Sequence, residues 1–125
     1  MLILSADHER LAAMRDASQK AGFNVNCCDD LVTARSLISR YANDYHVIML
    51  DQRMTGRSTS GFIKGARMSA PKSRVLICVA PDSTYTFEDP MVTIAADDRA
   101  LDLLPRLKRE VTRYRSTPVK PATAG

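Results

Sequence analysis

Apolar residues fall along this chain in two alternating patterns: short unbroken runs, and longer stretches in which they recur every three or four positions. Leu2-Ile3-Leu4 is a run of the first kind, read as a buried strand that ends at Ser5-Ala6-Asp7. Over residues 8–21, Leu11, Met14, Ala17 or Ser18, and Ala21 keep helical spacing. Asp7 caps that helix, Glu9 lies in its first turn and Gly22 supplies a left-handed stop. Phe23, Val25 and Cys27 then alternate with Asn24 and Asn26, which predicts a second strand near a sheet edge. Asp29 or Asp30 caps a second helix with Ala34, Leu37, Ile38 and Tyr41 on its buried stripe.

Residues 47–50 form the next run, and it stops abruptly at Asp51. A continuous apolar run fits a strand buried on both faces of a parallel sheet, here with a carboxylate at its carboxyl end. Thr55-Gly56 breaks the pattern, and a polar loop over residues 57–60 leads to a weaker helix at 61–69 with Phe62, Ile63 and Ala66 inward. Gly65 in its middle costs about 1 kcal/mol relative to alanine, and Pro71 ends it. Residues 75–80 make a fourth strand. Between Pro81 and Pro90, Tyr85 and Phe87 alternate with Thr84 and Thr86 and no helical stripe occurs, so an irregular crossover with at most one helical turn is expected. Residues 91–96 give a fifth strand. Asp97 or Asp98 caps a last helix carrying Leu101, Leu104, Leu107 or Lys108, Val111 and Tyr114, in which Pro105 predicts a bend or a late start.

Strands alternating with helices in this way imply an α/β fold: a doubly wound, five-stranded parallel sheet of order 2-1-3-4-5, with the helix between the fourth and fifth strands shortened or missing. Strands one and three are then neighbours, and Asp7 and Asp51 meet at the switch point where ligands of such sheets collect. No glycine-rich phosphate loop follows either strand.

Length and composition fit this picture. At 125 residues, 45% hydrophobic and 26% charged, the chain suits one domain at 1–115 followed by a Pro/Thr/Ala-rich tail or linker at 116–125. Cys27, Cys28 and Cys78 have neither disulfide nor zinc spacing and read as small core residues of a reducing compartment. No signal peptide or membrane span is recognisable, which places the protein in the cytoplasm. From Arg99 onward seven basic residues face two acids, a basic end. With no recognition-helix, zinc-finger or aromatic RNA-binding signature, direct nucleic-acid binding is not expected. His8 and His46 read as a helix start and a strand start.

The residues just named resemble the receiver domains of bacterial two-component response regulators, over nearly the whole chain to about Tyr114. Leu2 to Asp7 matches the family's first strand and acidic turn, and residues 47–51 with Met54-Thr55-Gly56 match its third strand and the turn after the phosphoacceptor. The resemblance implies that Asp51 is the phosphoacceptor-equivalent, with Asp7, Asp51 and the Arg53 carbonyl left to hold Mg²⁺. It also exposes departures. Ala6 replaces the first of the paired acids, Val79 the hydroxyl residue, Val92 an aromatic switch residue, and Ala95-Ala96 the Lys-Pro pair. Mg²⁺ demands near-octahedral oxygen ligands, and a carboxylate attacking phosphorus needs cations to offset charge, so each loss weakens that chemistry. The Arg53 guanidinium can instead fold back onto Asp7 or Asp51 and stand in for the metal.

The leading expectation is a degenerate receiver, not an enzyme, acting as a phosphorylation-independent protein-interaction module in bacterial signalling. Its partner surface is expected around Tyr85 and Phe87 and along Arg106, Arg109, Arg113 and Tyr114, where homodimerisation is also expected; the alternative for the two rings is that they fold inward and plug the gap left by the missing helix. Two other readings stay open. One is a working receiver phosphorylated on Asp51 by a histidine kinase, the only reading that requires Mg²⁺; the other is a small-molecule binder of the same fold.

Overall fold

The computed structural model describes residues 1–116, with side chains through Arg113. Five parallel strands, β1 (Leu2–Leu4), β2 (Asn26–Cys28), β3 (Val47–Asp51), β4 (Arg74–Val79) and β5 (Val92–Ala96), form one sheet of order β2-β1-β3-β4-β5. Helices α1 (His8–Lys20), α2 (Leu31–Tyr41), α4 (Thr59–Ser69) and α5 (Asp97–Ser116) return the chain, and α3 (Gln52–Thr55) is a single turn directly after β3. The expected strand order is therefore observed, and residues 81–90 cross from β4 to β5 without a helix.

The apolar runs become strands because both sheet faces are covered. Leu2, Leu4, Ile48, Leu50 and Ile77 pack under α2 and α4 with Ala34, Ile38, Phe62 and Ile63. On the opposite face Ile3, Val47, Met49 and Leu76 meet Met14 of α1 and Leu104 of α5. Every residue of β3 is buried, Asp51 included. Each long helix leaves the carboxyl side of the sheet. Asp7 caps α1 by accepting from the Arg10 amide, Asp30 caps α2 by accepting from Thr33, and Asp97 and Asp98 sit in the first turn of α5. Lys20, Arg40 and Arg67 occupy the last turns of α1, α2 and α4, where cations suit the helix dipole.

Several expectations are corrected in register. β2 begins at Asn26, and its buried residue is Cys28 while Cys27 is exposed, so of the alternation expected at 23, 25 and 27 Phe23 and Val25 do turn inward, ahead of the strand, and Cys27 does not. Phe23 is buried in the turn after α1, where its amide bonds the Ser18 carbonyl, and not in a strand. The Asn26 side chain donates to the Tyr45 hydroxyl. Tyr41 does not join the α2 stripe and is 44% exposed. The segment expected to be polar loop at 57–60 is a 3₁₀ turn, Gly56–Ser58, that runs straight into α4, with Thr59 buried. Pro105 neither delays nor breaks α5: it lies on the exposed face, where water can satisfy the carbonyl its missing N–H leaves free. The α5 helix runs through Ser116, and the rest of the expected tail lies outside the described residues. Among the described residues, no helix is long and apolar enough to cross a membrane.

Gly65 sits in the middle of α4 with nothing within 4 Å of where a Cβ would stand. Gly65→Ala is therefore expected to stabilise the protein by about 0.5–1 kcal/mol, read as a higher urea midpoint at unchanged slope.

Candidate functional site

The carboxyl ends of β1, β3 and β5 converge on one carboxylate. Asp51 ends β3 and caps α3, and it is 1% exposed. Such a group must be paired and hydrogen-bonded to remain charged, and it is. Its Oδ2 accepts from the Ser5 hydroxyl at 2.8 Å and from Arg10 Nε at 2.9 Å. Its Oδ1 accepts from the Arg53 amide at 3.2 Å and from Arg53 Nε at 2.8 Å. A carboxylate offers about four lone-pair sites, so both oxygens of Asp51 are saturated.

The two guanidiniums reach further. Arg10 also pairs with Asp7 at 3.3 Å, while Asp7 accepts from the Arg10 amide at 3.0 Å as the α1 cap. Arg53 extends to Asp97 at the start of α5, with Nη2 to Oδ1 at 2.6 Å. A chain of alternating charges, Asp7–Arg10–Asp51–Arg53–Asp97, thus ties together the loops after β1, β3 and β5. Three carboxylates face two guanidiniums, so the cluster keeps one negative charge.

Burial alone would raise the Asp51 carboxyl, but the Ser5 hydroxyl, the Arg10 side chain and the amide and charge of Arg53 outweigh it and hold the group below its ordinary value. Asp7 is also held low, chiefly by the Arg10 amide. The hydrogen bond to Asp97 leads in raising Arg53 above its ordinary value, against the opposing effect of burial. Beneath them, burial pushes the Cys78 thiol up to about 12, an inert core group.

Asp7, Asp51 and Arg53 do come together, but this donor set does not fit Mg²⁺. Both oxygens of Asp51 are taken, Asp7 carries its own guanidinium, and Arg53 enters through its side chain and amide. An octahedral ion needs free oxygen ligands where two cations already lie. Of the departures, Ala6 is exposed in the loop after β1, and Ala95 packs toward α5. Val79 and Val92 lie in the apolar cluster on the other face, with Tyr85 and Phe87 packed beside them. The two rings are half-buried and the Tyr85 hydroxyl lies 2.8 Å from Ser60 Oγ, so of the two readings open for them they take the inward one. Arg106 and Arg109 are exposed, as is Arg113; the Tyr114 side chain lies outside the described residues.

Sequence reasoning missed Ser5, Arg10 and Asp97. Arg10 follows the cap Asp7 by three residues, one helical turn, and that spacing is the signal that would have aimed it at the same end of the sheet.

Removing the charge of Asp51 leaves two cations without their shared partner. Asp51→Asn is therefore expected to cost about 3–5 kcal/mol, measured by urea unfolding at neutral pH. Because the folded carboxyl lies below its unfolded value of about 3.9, its contribution is complete above that pH and fades as pH falls through the folded value. The gap between wild type and Asp51→Asn should accordingly narrow in acid, below about pH 4.

No protein-family model and no curated protein sequence matches this chain, but solved structures share its fold. A protein described as a pilus assembly protein, CpaE, from Burkholderia thailandensis is 19% identical with a TM-score of 0.62, over 86% of this chain and 96% of its own. A protein described as pilus assembly-related from Burkholderia pseudomallei is 21% identical with a TM-score of 0.65, over 87% and 88%. A response regulator from Burkholderia pseudomallei, solved with a phosphorylated aspartic acid, a calcium ion and citrate, is 16% identical with a TM-score of 0.62, over 94% and 74%. The fold is thus receiver-like.

Proposed function

We propose that this protein is a non-enzymatic, receiver-like module that binds a protein partner without being phosphorylated. One observation carries the reading: each oxygen of Asp51 accepts two hydrogen bonds, and two arginines lie where a metal and a phosphoryl group would have to enter. An attacking carboxylate oxygen needs a free lone pair directed at phosphorus, and its charge must be offset by a cation that also holds the phosphoryl oxygens. Here the cations are covalently part of the chain and already neutralise the carboxylate. Val79 offers no hydroxyl, and Asp97 stands just beyond the position where the resemblance leads one to expect a lysine, so the local charge is opposite in sign.

The internal ion chain supports a single fixed state, since Arg10 and Arg53 hold three loops as an ion and phosphoryl group would hold them only transiently. The partner face is the altered one, formed by residues 81–90, β5 and the exposed arginines of α5. Two structural neighbours are described as pilus-assembly proteins, which supports work within a larger assembly.

Incubation with acetyl phosphate and Mg²⁺ followed by intact-mass measurement is expected to give no added phosphoryl group. Mg²⁺ alone is expected to leave the thermal midpoint unchanged. A Mg²⁺-dependent gain of one phosphoryl group that disappears in Asp51→Asn would overturn this reading in favour of a working receiver.

A further inference from the structure

The two edges of the sheet are not alike. β2 at one edge has three residues, and its exposed positions are Asn26 and Cys27. β5 at the other has five, Val-Thr-Ile-Ala-Ala, with no charge and no proline; α5 packs on one of its faces, β4 pairs with only one of its edges, and all five residues are half-exposed. Native edge strands are normally shortened, charged, bulged or covered, because their unpaired backbone groups otherwise template pairing. β5 carries none of these protections.

Which groups lie open follows from the ladder. The Val75 amide donates to the Met91 carbonyl at 2.9 Å, so alternation turns the backbone groups of Thr93 and Ala95 toward β4 and those of Val92, Ile94 and Ala96 outward. The Val92 amide is satisfied by the Asp89 carbonyl at 2.9 Å. Among the described residues no loop or turn hydrogen bond ends on the outward groups of Ile94. This pattern is self-complementary about Ile94.

We propose that β5 pairs antiparallel with β5 of a second copy across a two-fold axis, giving one continuous sheet through both chains. This names the partner at the face assigned above and rests on that assignment. The two Ile94 residues exchange both of their outward hydrogen bonds, and each Ala96 amide meets the Val92 carbonyl opposite. The Val92 amide, already bonded to Asp89, is not needed.

Charge selects a second copy over an unrelated strand. Arg106, which reaches Glu110 of its own helix at 3.4 Å, lies beside Pro90 and Thr93 over β5, and Asp102, also exposed, is one turn earlier on the same helix. Antiparallel pairing sets the Asp102 of one copy against the Arg106 of the other, twice by symmetry. An isologous contact of this kind closes at two chains and leaves no edge to propagate.

Sedimentation equilibrium on the full chain tests the proposal. Wild type should be a dimer. Ile94→Pro removes only an outward N–H, a change that edge strands tolerate, and should be monomeric with an unchanged far-UV spectrum. Arg106→Asp sets like charges opposite each other and should weaken the dimer about tenfold or more, while Asp102→Arg combined with Arg106→Asp should restore it. Should Ile94→Pro fail to fold, the charge exchange decides alone. A monomeric wild type, or a dimer indifferent to Arg106→Asp, would overturn the proposal. Neither result bears on phosphorylation, so this inference can fail while the reading of Asp51 stands.

Discussion

A carboxylate buried between two guanidiniums sets the terms for this molecule. Asp51 ends the central strand, where a charge without partners would cost many kcal/mol, and the chain answers with four donors from the loop after β1, the first turn of α1 and α3 itself. Those donors are also what tie the loops. The Arg10 guanidinium joins Asp51 to Asp7, the cap of α1, and the Arg53 guanidinium joins it to Asp97 at the start of α5. The most polar point of the interior and the rigidity of one whole end of the sheet are therefore the same interaction.

The receiver-like fold beneath that cluster rests on different interactions. The fold is supported by apolar strands and by helices covering both faces, none of which requires a metal or a phosphoryl group. The candidate site lies at the strand ends, and there the charges differ from those the resemblance implies. Asp97 contributes an acid just beyond Ala95, the position where the resemblance implies a lysine, and Arg53 bridges it to Asp51. A likeness in fold at under 25% identity is silent on such substitutions, because a site can change while the layers beneath it stay.

The layers were the legible part of the sequence. Unbroken runs such as residues 47–50 can only be strands covered on two sides, and the helical stripes between them fix the order of elements. The missing helix between β4 and β5 was legible too, from two prolines and an aromatic alternation with no helical period. Local register was harder. The period-two alternation from Phe23 put Cys27 inward, but the paired strand starts only at Asn26 and it is Cys28 that is buried. Arg53 was aimed at the site because it is two residues from Asp51. Arg10 and Asp97 are 41 and 46 positions away from Asp51, and no pattern in one sequence pairs residues at such separation except the fold itself.

All four long helices start at the same end of the sheet, with acids at or near the starts of α1, α2 and α5 and bases in the last turns of α1, α2 and α4. Each of these charges opposes the helix dipole at its own terminus, so the acids at one end of the sheet and the bases at the other work against the field that four like-directed helices would otherwise add together.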